Sequence, residues 1–171
     1  MTESASHQHK KMATEKGAIE VAIITVSDTR TPETDVNGRF LQQEIENAGH
    51  KVAAYFIVKD EPAEVEAALD SQDTKSAQIV LLNGGTGISS RDRTFDVVER
   101  RLQKVLPGFG EIFRMLSWEQ VGASAILSRA VAGVAHGQFI VSTPGSPAAV
   151  KLAWEKLIKS EMQHFAWELT R

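Results

Sequence analysis

The chain has 171 residues, no cysteine and a formal net charge of −3, with a pI near 6.0. That length suits one domain with a substantial core, and the slightly acidic balance gives no bulk attraction to nucleic acid or to membranes. No stretch approaches the ~18 apolar residues of a membrane span, and a cysteine-free chain can form neither disulfides nor thiolate metal sites.

Residues 1–17 read as a disordered polar tail, rich in Ser, Thr, Glu, His and Lys. His7 and His9 lie there, beside Lys10 and Lys11. The tail lacks the apolar core of a secretory signal, so the expected location is the cytoplasm. Residues 18–171 are expected to form a single α/β domain.

From Ile19 onward, strand and helix signals alternate. Val21 to Val26 is a β-branched, apolar run ending in Ser27-Asp28-Thr29. Leu41, Ile45 and Ala48 form a helical stripe closed by Gly49. Val52 to Val58 predicts a second strand, and Asp60-Glu61-Pro62 opens a short helix carrying Val65, Ala68 and Leu69. Ile79 to Leu82 is wholly apolar, as in a buried parallel strand. Gly84, Gly85 and Gly87 then break the pattern, and Thr94 offers an N-cap to a helix with Val98, Leu102 and Val105 at helical spacing. Another helix is expected from about Gly110 to Trp118. Val131 to Val134 and Gln138 to Ser142 read as strands around a turn at His136-Gly137, and Ser146-Pro147 starts a last helix reaching Phe165.

This alternation predicts a three-layer α/β sandwich, with a mostly parallel sheet flanked by helices and right-handed crossovers. Its ligand is expected beyond the C-terminal strand ends, near a topological switch point. Ser27-Asp28, Asp60, Asn83 to Thr86 and Thr143 to Ser146 all follow predicted strands, so the rule gathers them at one crevice.

Strand, glycine loop and helix N-terminus form a phosphate-binding arrangement, because backbone N–H groups and the helix dipole both face an anion. The bland alternative is a tight turn with Asp92 as a helix cap. Asp92 repels phosphate unless a cation such as Mg2+ bridges them. Thr143-Pro144-Gly145-Ser146-Pro147 is a second candidate anion site, or simply a helix entry. Arg91, Arg93 and Arg129 are candidates for neutralising phosphate oxygens. For Asp60 a carboxylate near a helix start is favoured by the dipole whatever its function. His50, His136 and His164 lack metal-ligand spacing. Trp118, Trp154 and Trp167 read as core or subunit-contact residues.

At these residues a family resemblance becomes close. Val26-Ser27-Asp28-Thr29-Arg30, Asn83-Gly84-Gly85-Thr86-Gly87-Ile88 and the run from Gly108 to Ser117 resemble successive motifs of the molybdenum cofactor biosynthesis family. Ala125-Ile126-Leu127-Ser128-Arg129-Ala130 and Thr143-Pro144-Gly145-Ser146 do so too. The match runs from about Val21 to Ile158 with motif order preserved.

The resemblance implies a molybdopterin-binding-like fold and Mg-ATP-dependent adenylylation of molybdopterin before molybdate insertion. It places nucleotide phosphates at Asn83, Gly84, Gly85, Thr86 and Gly87, and gives the catalytic, Mg2+-holding positions to Asp92 and Asp60. Ser27, Asp28, Ser128, Arg129, Pro144, Gly145 and Ser146 become candidates for the pterin and phosphate pocket. It further implies a trimer-based homo-oligomer, here a hexamer built from two trimers, and the molybdate-insertion enzyme as a partner. Phe109, Ile112, Phe113, Met115 and Leu116 are the candidate subunit contact, or simply a helix buried within its own subunit. The alternative functions are a non-catalytic molybdopterin carrier and a nucleotide-pyrophosphate hydrolase. One departure stands out: where the family often reads Arg-Asp-Val-Thr-Pro, this chain has Arg91-Asp92-Arg93-Thr94-Phe95.

Overall fold

The computed structural model describes residues 17–170. The expected tail, with His7 and His9, therefore lies outside the described residues apart from Gly17. Among the described residues, six strands form one sheet: β1 (Glu20–Val26), β2 (Lys51–Val58), β3 (Ile79–Asn83), β4 (Lys104–Val105), β5 (Val131–Ala135) and β6 (Gln138–Thr143). Their order is β2-β1-β3-β6-β5-β4. The first four run parallel, while β5 is antiparallel to β6 and β4 to β5. The chain steps from β1 outward to β2, then back across β1 to β3, so the switch point lies between β1 and β3.

Among the described residues, seven α-helices cover the two faces. They are α1 (Val36–Asn47), α2 (Pro62–Asp70), α3 (Gln72–Ser76), α4 (Thr94–Arg101), α5 (Pro107–Val121), α6 (Pro147–Ala153) and α7 (Met162–Glu168). Alternation along the strands decides which core each residue joins. Val21, Ile23, Ile79 and Leu81 pack with Leu41 and Ile45 of α1, Phe113 of α5, Val150 of α6 and Met162 of α7. Ala22, Ile24, Val80 and Leu82 pack instead with Val65 and Leu69 of α2 and Val97 and Val98 of α4. The sheet is thus buried on both faces, the reason its strands read as continuous apolar runs. The expected three-layer sandwich is the observed fold.

Two expectations about elements need correction. Val105 does not extend α4, which ends at Arg101 with Leu102 as its cap. The Gln103 N–H instead bonds the Val134 carbonyl at 2.9 Å, and Lys104–Val105 becomes an edge strand. Pairing with β5 there outweighs helical spacing. The last helix is also discontinuous: a π turn over Trp154–Ile158, closed by a Lys159 N–H to Trp154 carbonyl bond of 2.9 Å, separates α6 from α7. The wide turn keeps both Trp154 and Ile158 buried. The β5–β6 turn is as expected, with positive φ at both His136 (50°) and Gly137 (77°).

Candidate functional site

The C-terminal ends of β1, β3 and β6 lie level, because Thr25 pairs with Asn83 and Asn83 with Thr143. Above this row the Asn83–Gly87 and Thr143–Ser146 loops meet. The Gly84 N–H donates to the Thr143 carbonyl at 2.9 Å. Gly84 (φ 106°) and Gly85 (φ 65°) both adopt the left-handed region. A Cβ on Gly84 would collide with the Val26 carbonyl oxygen, and one on Gly85 with the Thr94 hydroxyl. Only glycine lets the loop lie this close to β1 and α4.

A cleft of about 280 Å³ opens between these loops and the end of α5, close to the ~300 Å³ lower bound of small-molecule sites. One side presents Gly85, Thr86, Gly87 and Asp92, and the opposite side Pro144, Gly145, Ser146 and Ala148. Phe113, Val121, Ala125 and Leu127 form an apolar wall, to which Ser117, Gln120, Ser124 and Ser128 add polar groups. Among the described residues, Asp92 is the only charged side chain in the lining. Its Oδ2 accepts the Ser89 N–H at 2.9 Å, which folds the loop back toward Gly87.

Around this cleft, ionic contacts hold the loops. Arg129 donates from Nε to the Gly87 carbonyl at 2.9 Å and from its terminal nitrogens to the Asp92 carbonyl and the Asp96 carboxylate. Its guanidinium lies 4.7 Å from the centre of the Phe95 ring. Arg91 bridges Asp28 and Glu61, each at 2.8 Å. The Arg91 hydrogen bond, helped by the Asp60 backbone N–H, holds the Asp28 carboxyl below its ordinary pKa.

The comparisons with known proteins come down on one family. A probable molybdopterin binding domain matches residues 22–164. The chain belongs to the molybdopterin-binding family of molybdenum cofactor biosynthesis proteins. It is 48% identical over 166 residues to molybdenum cofactor biosynthesis protein B of Bacillus subtilis, covering 96% of each chain. The crystal structure of a molybdenum cofactor biosynthesis protein B superposes with a TM-score of 0.84 at 45% identity, over 90% of this chain and 97% of that one. The tungsten cofactor synthesizing protein MoaB of Pyrococcus furiosus gives 0.81 at 34% identity, over 90% and 98%.

Of the site residues carried over from the molybdopterin-binding family, the cleft brings together Gly85, Thr86, Gly87, Asp92, Ser128, Pro144, Gly145 and Ser146. Others are engaged elsewhere. Asn83 is 1% exposed and turns into the sheet edge, donating to the Thr25 hydroxyl at 3.0 Å. The Ser27 hydroxyl accepts the Thr29 and Arg30 N–H groups. Asp28 and Arg129 are committed to the contacts above, so neither Arg91 nor Arg129 reaches into the cleft, and Arg93 is absent from its lining.

Asp60 is the clearest surprise. It is 7% exposed, and its Oδ1 accepts the Arg93 N–H, the Thr94 N–H and the Thr94 hydroxyl. Thr94 is therefore not the cap of α4; Asp60, donated from beyond β2, occupies that N-terminus. The N–H groups at the start of α4 are thus already turned to a carboxylate of the chain itself. The departure at Phe95 also has a structural use. Its N–H donates to the Gly85 carbonyl at 3.2 Å, a bond proline could not make.

Sequence reasoning missed Gln120, Ser124, Ala148 and the apolar wall, all cleft-lining. It also missed Asp35, fully buried, which caps α1 and accepts the Tyr55 hydroxyl at 2.8 Å. The Asp-x-x-Gly spacing of Asp35 and Gly38 was the available signal: a Cβ on Gly38 would strike Asp35 and Tyr55. Among the described residues, no group of three His, Cys, Asp or Glu side chains is placed to hold a metal, and no helix is long and apolar enough to cross a membrane.

Proposed function

We propose that this member of the molybdenum cofactor biosynthesis family adenylylates molybdopterin, with Mg-ATP as co-substrate. One observation carries the reading: a cleft at the strand ends joins a glycine loop and hydroxyl groups to an apolar wall, with Asp92 as its sole charged side chain among the described residues. The apolar wall suits a flat heterocycle, and the loop N–H groups suit phosphate oxygens. A lone carboxylate beside a polyanion costs energy unless a cation lies between them. Asp92 fits that role, since its Oδ2 is held by Ser89 and its Oδ1 carries no hydrogen bond among the described residues. Bound there with ATP, Mg2+ would offset negative charge on the phosphates.

In the reaction, a terminal phosphate oxygen of molybdopterin forms a bond to the α-phosphorus of ATP. The bond from that phosphorus to the oxygen bridging to the β-phosphate breaks, and pyrophosphate leaves. The glycine loop orients the phosphates, and the cleft wall holds the heterocycle against it. Asp60 acts from behind, fixing the loop that carries Asp92 by capping α4. The molybdate-insertion enzyme of the pathway would take up the product.

The same reading includes a homo-oligomer. Met115 (61% exposed), Trp118 (58%) and Ile126 (73%) form an outward apolar patch on α5 and the turn after it, a surface suited to a second copy of the chain. Phe113 does not belong to that contact, because it is 1% exposed within its own core.

Incubating the protein with molybdopterin and Mg-ATP and assaying adenylylated pterin and pyrophosphate tests the reading. Pterin bound in stoichiometric amount without either product would favour the carrier alternative. Release of AMP with no pterin adduct would favour the hydrolase.

A further inference from the structure

Asn37, on the first turn of α1, is 2% exposed. Its side-chain nitrogen spends both hydrogens on the two loops of the cleft: one goes to the Asn83 side-chain oxygen at 2.9 Å, the other to the Gly145 carbonyl at 2.8 Å. The Gly145 carbonyl can only accept, which fixes the orientation of the Asn37 amide. Asn83 passes the connection to β1 through the Thr25 hydroxyl at 3.0 Å.

We propose that Asn37 is a positioning residue for the cleft, setting the Gly145–Ser146 wall against the glycine loop and thereby the affinity for the phosphorylated substrate. The inference rests on the function proposed above. The wall needs such a tether. Pro144 and Pro147 flank it and have no N–H to donate. Gly145 packs so closely on the glycine loop that a Cβ there would lie 3.1 Å from the Gly84 Cα. Nothing in the helix itself requires Asn37, whose backbone N–H is already capped by Asp35 at 3.2 Å. Its amide serves the two loops, and through Gly145 it reaches the lining of the cleft, to which Asn37 itself does not belong.

Two variants test this. Asn37→Asp keeps the size but sets acceptor oxygens against two carbonyl oxygens; Asn37→Ser keeps one donor, too short to bridge both loops. Hydrogen exchange over residues 144–153 is measured in the ligand-free protein, alongside kcat and KM for molybdopterin and ATP. The expected result is faster exchange in that segment in both variants. KM for at least one substrate should rise about tenfold in Asn37→Asp, as for loss of one well-placed hydrogen bond, with kcat within about threefold. Asn37→Ser should fall between Asn37→Asp and the unaltered chain. A reduced melting temperature with exchange and KM unchanged would overturn the proposal, leaving Asn37 a purely structural residue. If Asn37→Asp fails to fold, Asn37→Ser alone decides: unchanged exchange over 144–153 overturns the proposal and faster exchange supports it. If the unaltered chain forms no adduct, the proposed function fails, while the ligand-free exchange result still judges the tether.

Discussion

Thr94 gives both its backbone N–H and its hydroxyl to one oxygen of Asp60, at 3.0 and 2.9 Å. The two residues are 34 positions apart, so a carboxylate at the end of β2 caps a helix that begins after the glycine loop. Removing it should loosen the segment bearing Asp92. Asp60→Ala should lower stability by about 2–3 kcal/mol, the scale of losing charge-assisted bonds at a helix cap. Asp60→Asn retains an acceptor oxygen and should lose less than half of that. Urea unfolding with an unchanged m-value checks both. Equal losses in the two variants would show that the charge, not the acceptor, matters.

The glycine loop and the open side of the cleft should respond differently to bulk. At Gly85 a side chain would point at Thr94 and Asp60 rather than into the cleft, so Gly85→Val should chiefly lower the melting temperature. Ala148 is exposed and lines the cleft. Ala148→Phe should leave the melting temperature within a few degrees while weakening ATP or molybdopterin binding at least ~10-fold. Calorimetric titration of folded Ala148→Phe with unchanged affinity would move the ligand elsewhere.

Much of this architecture was legible in the sequence. The β-branched runs and their polar ends placed the strands and the crevice, because a sheet buried on both faces leaves no alternation to misread. Gly85 to Gly87, Asp92, Ser128 and Ser146, which line one cleft, stand in segments that carry motifs as well as turn chemistry. What escaped was long-range. Nothing local to Asp60 says that its carboxylate crosses to Thr94, or that Asn37 reaches Gly145 108 positions away. Helical phase was missed too. Gly110, Phe113 and Ser117 face inward, whereas Ile112, Met115 and Trp118 face out. Counting apolar residues in that segment could not separate the two faces.

That phase decides where an oligomer can be broken. Trp118→Glu and Met115→Glu place charge on an exposed apolar face and should yield monomers of 18.7 kDa by light scattering without unfolding. The unaltered chain should be a multiple of that mass. Phe113→Glu would instead bury a charge in the core and unfold the chain. An unaltered chain already monomeric at micromolar concentration would remove the oligomer from the account.

Tyr55 is the chain's only tyrosine, so its ionisation can be read directly from phenolate absorbance. Burial, and then its hydrogen bond to Asp35, raise its pKa above the ordinary value of 10.0. Because the folded-state value is the higher one, this contribution to stability is whole below about pH 10 and is lost as pH rises beyond it. Phenolate should therefore appear only together with alkaline unfolding followed by circular dichroism. A phenolate signal with a midpoint near pH 10 in a still-folded protein would contradict the Tyr55–Asp35 contact. Tyr55→Phe should lower stability by about 1 kcal/mol at pH 7.

The role proposed for Asp92 is to handle the reacting phosphates in the cleft. Single-turnover formation of adenylylated molybdopterin from molybdopterin and Mg-ATP, compared between the unaltered chain and Asp92→Asn, tests it most directly. Product and pyrophosphate are expected from the unaltered chain, with a rate at least ~100-fold lower in a variant that remains folded, the scale of removing an electrostatic stabiliser. Equal rates in the two proteins, or molybdopterin bound by the unaltered chain without adduct, would contradict it.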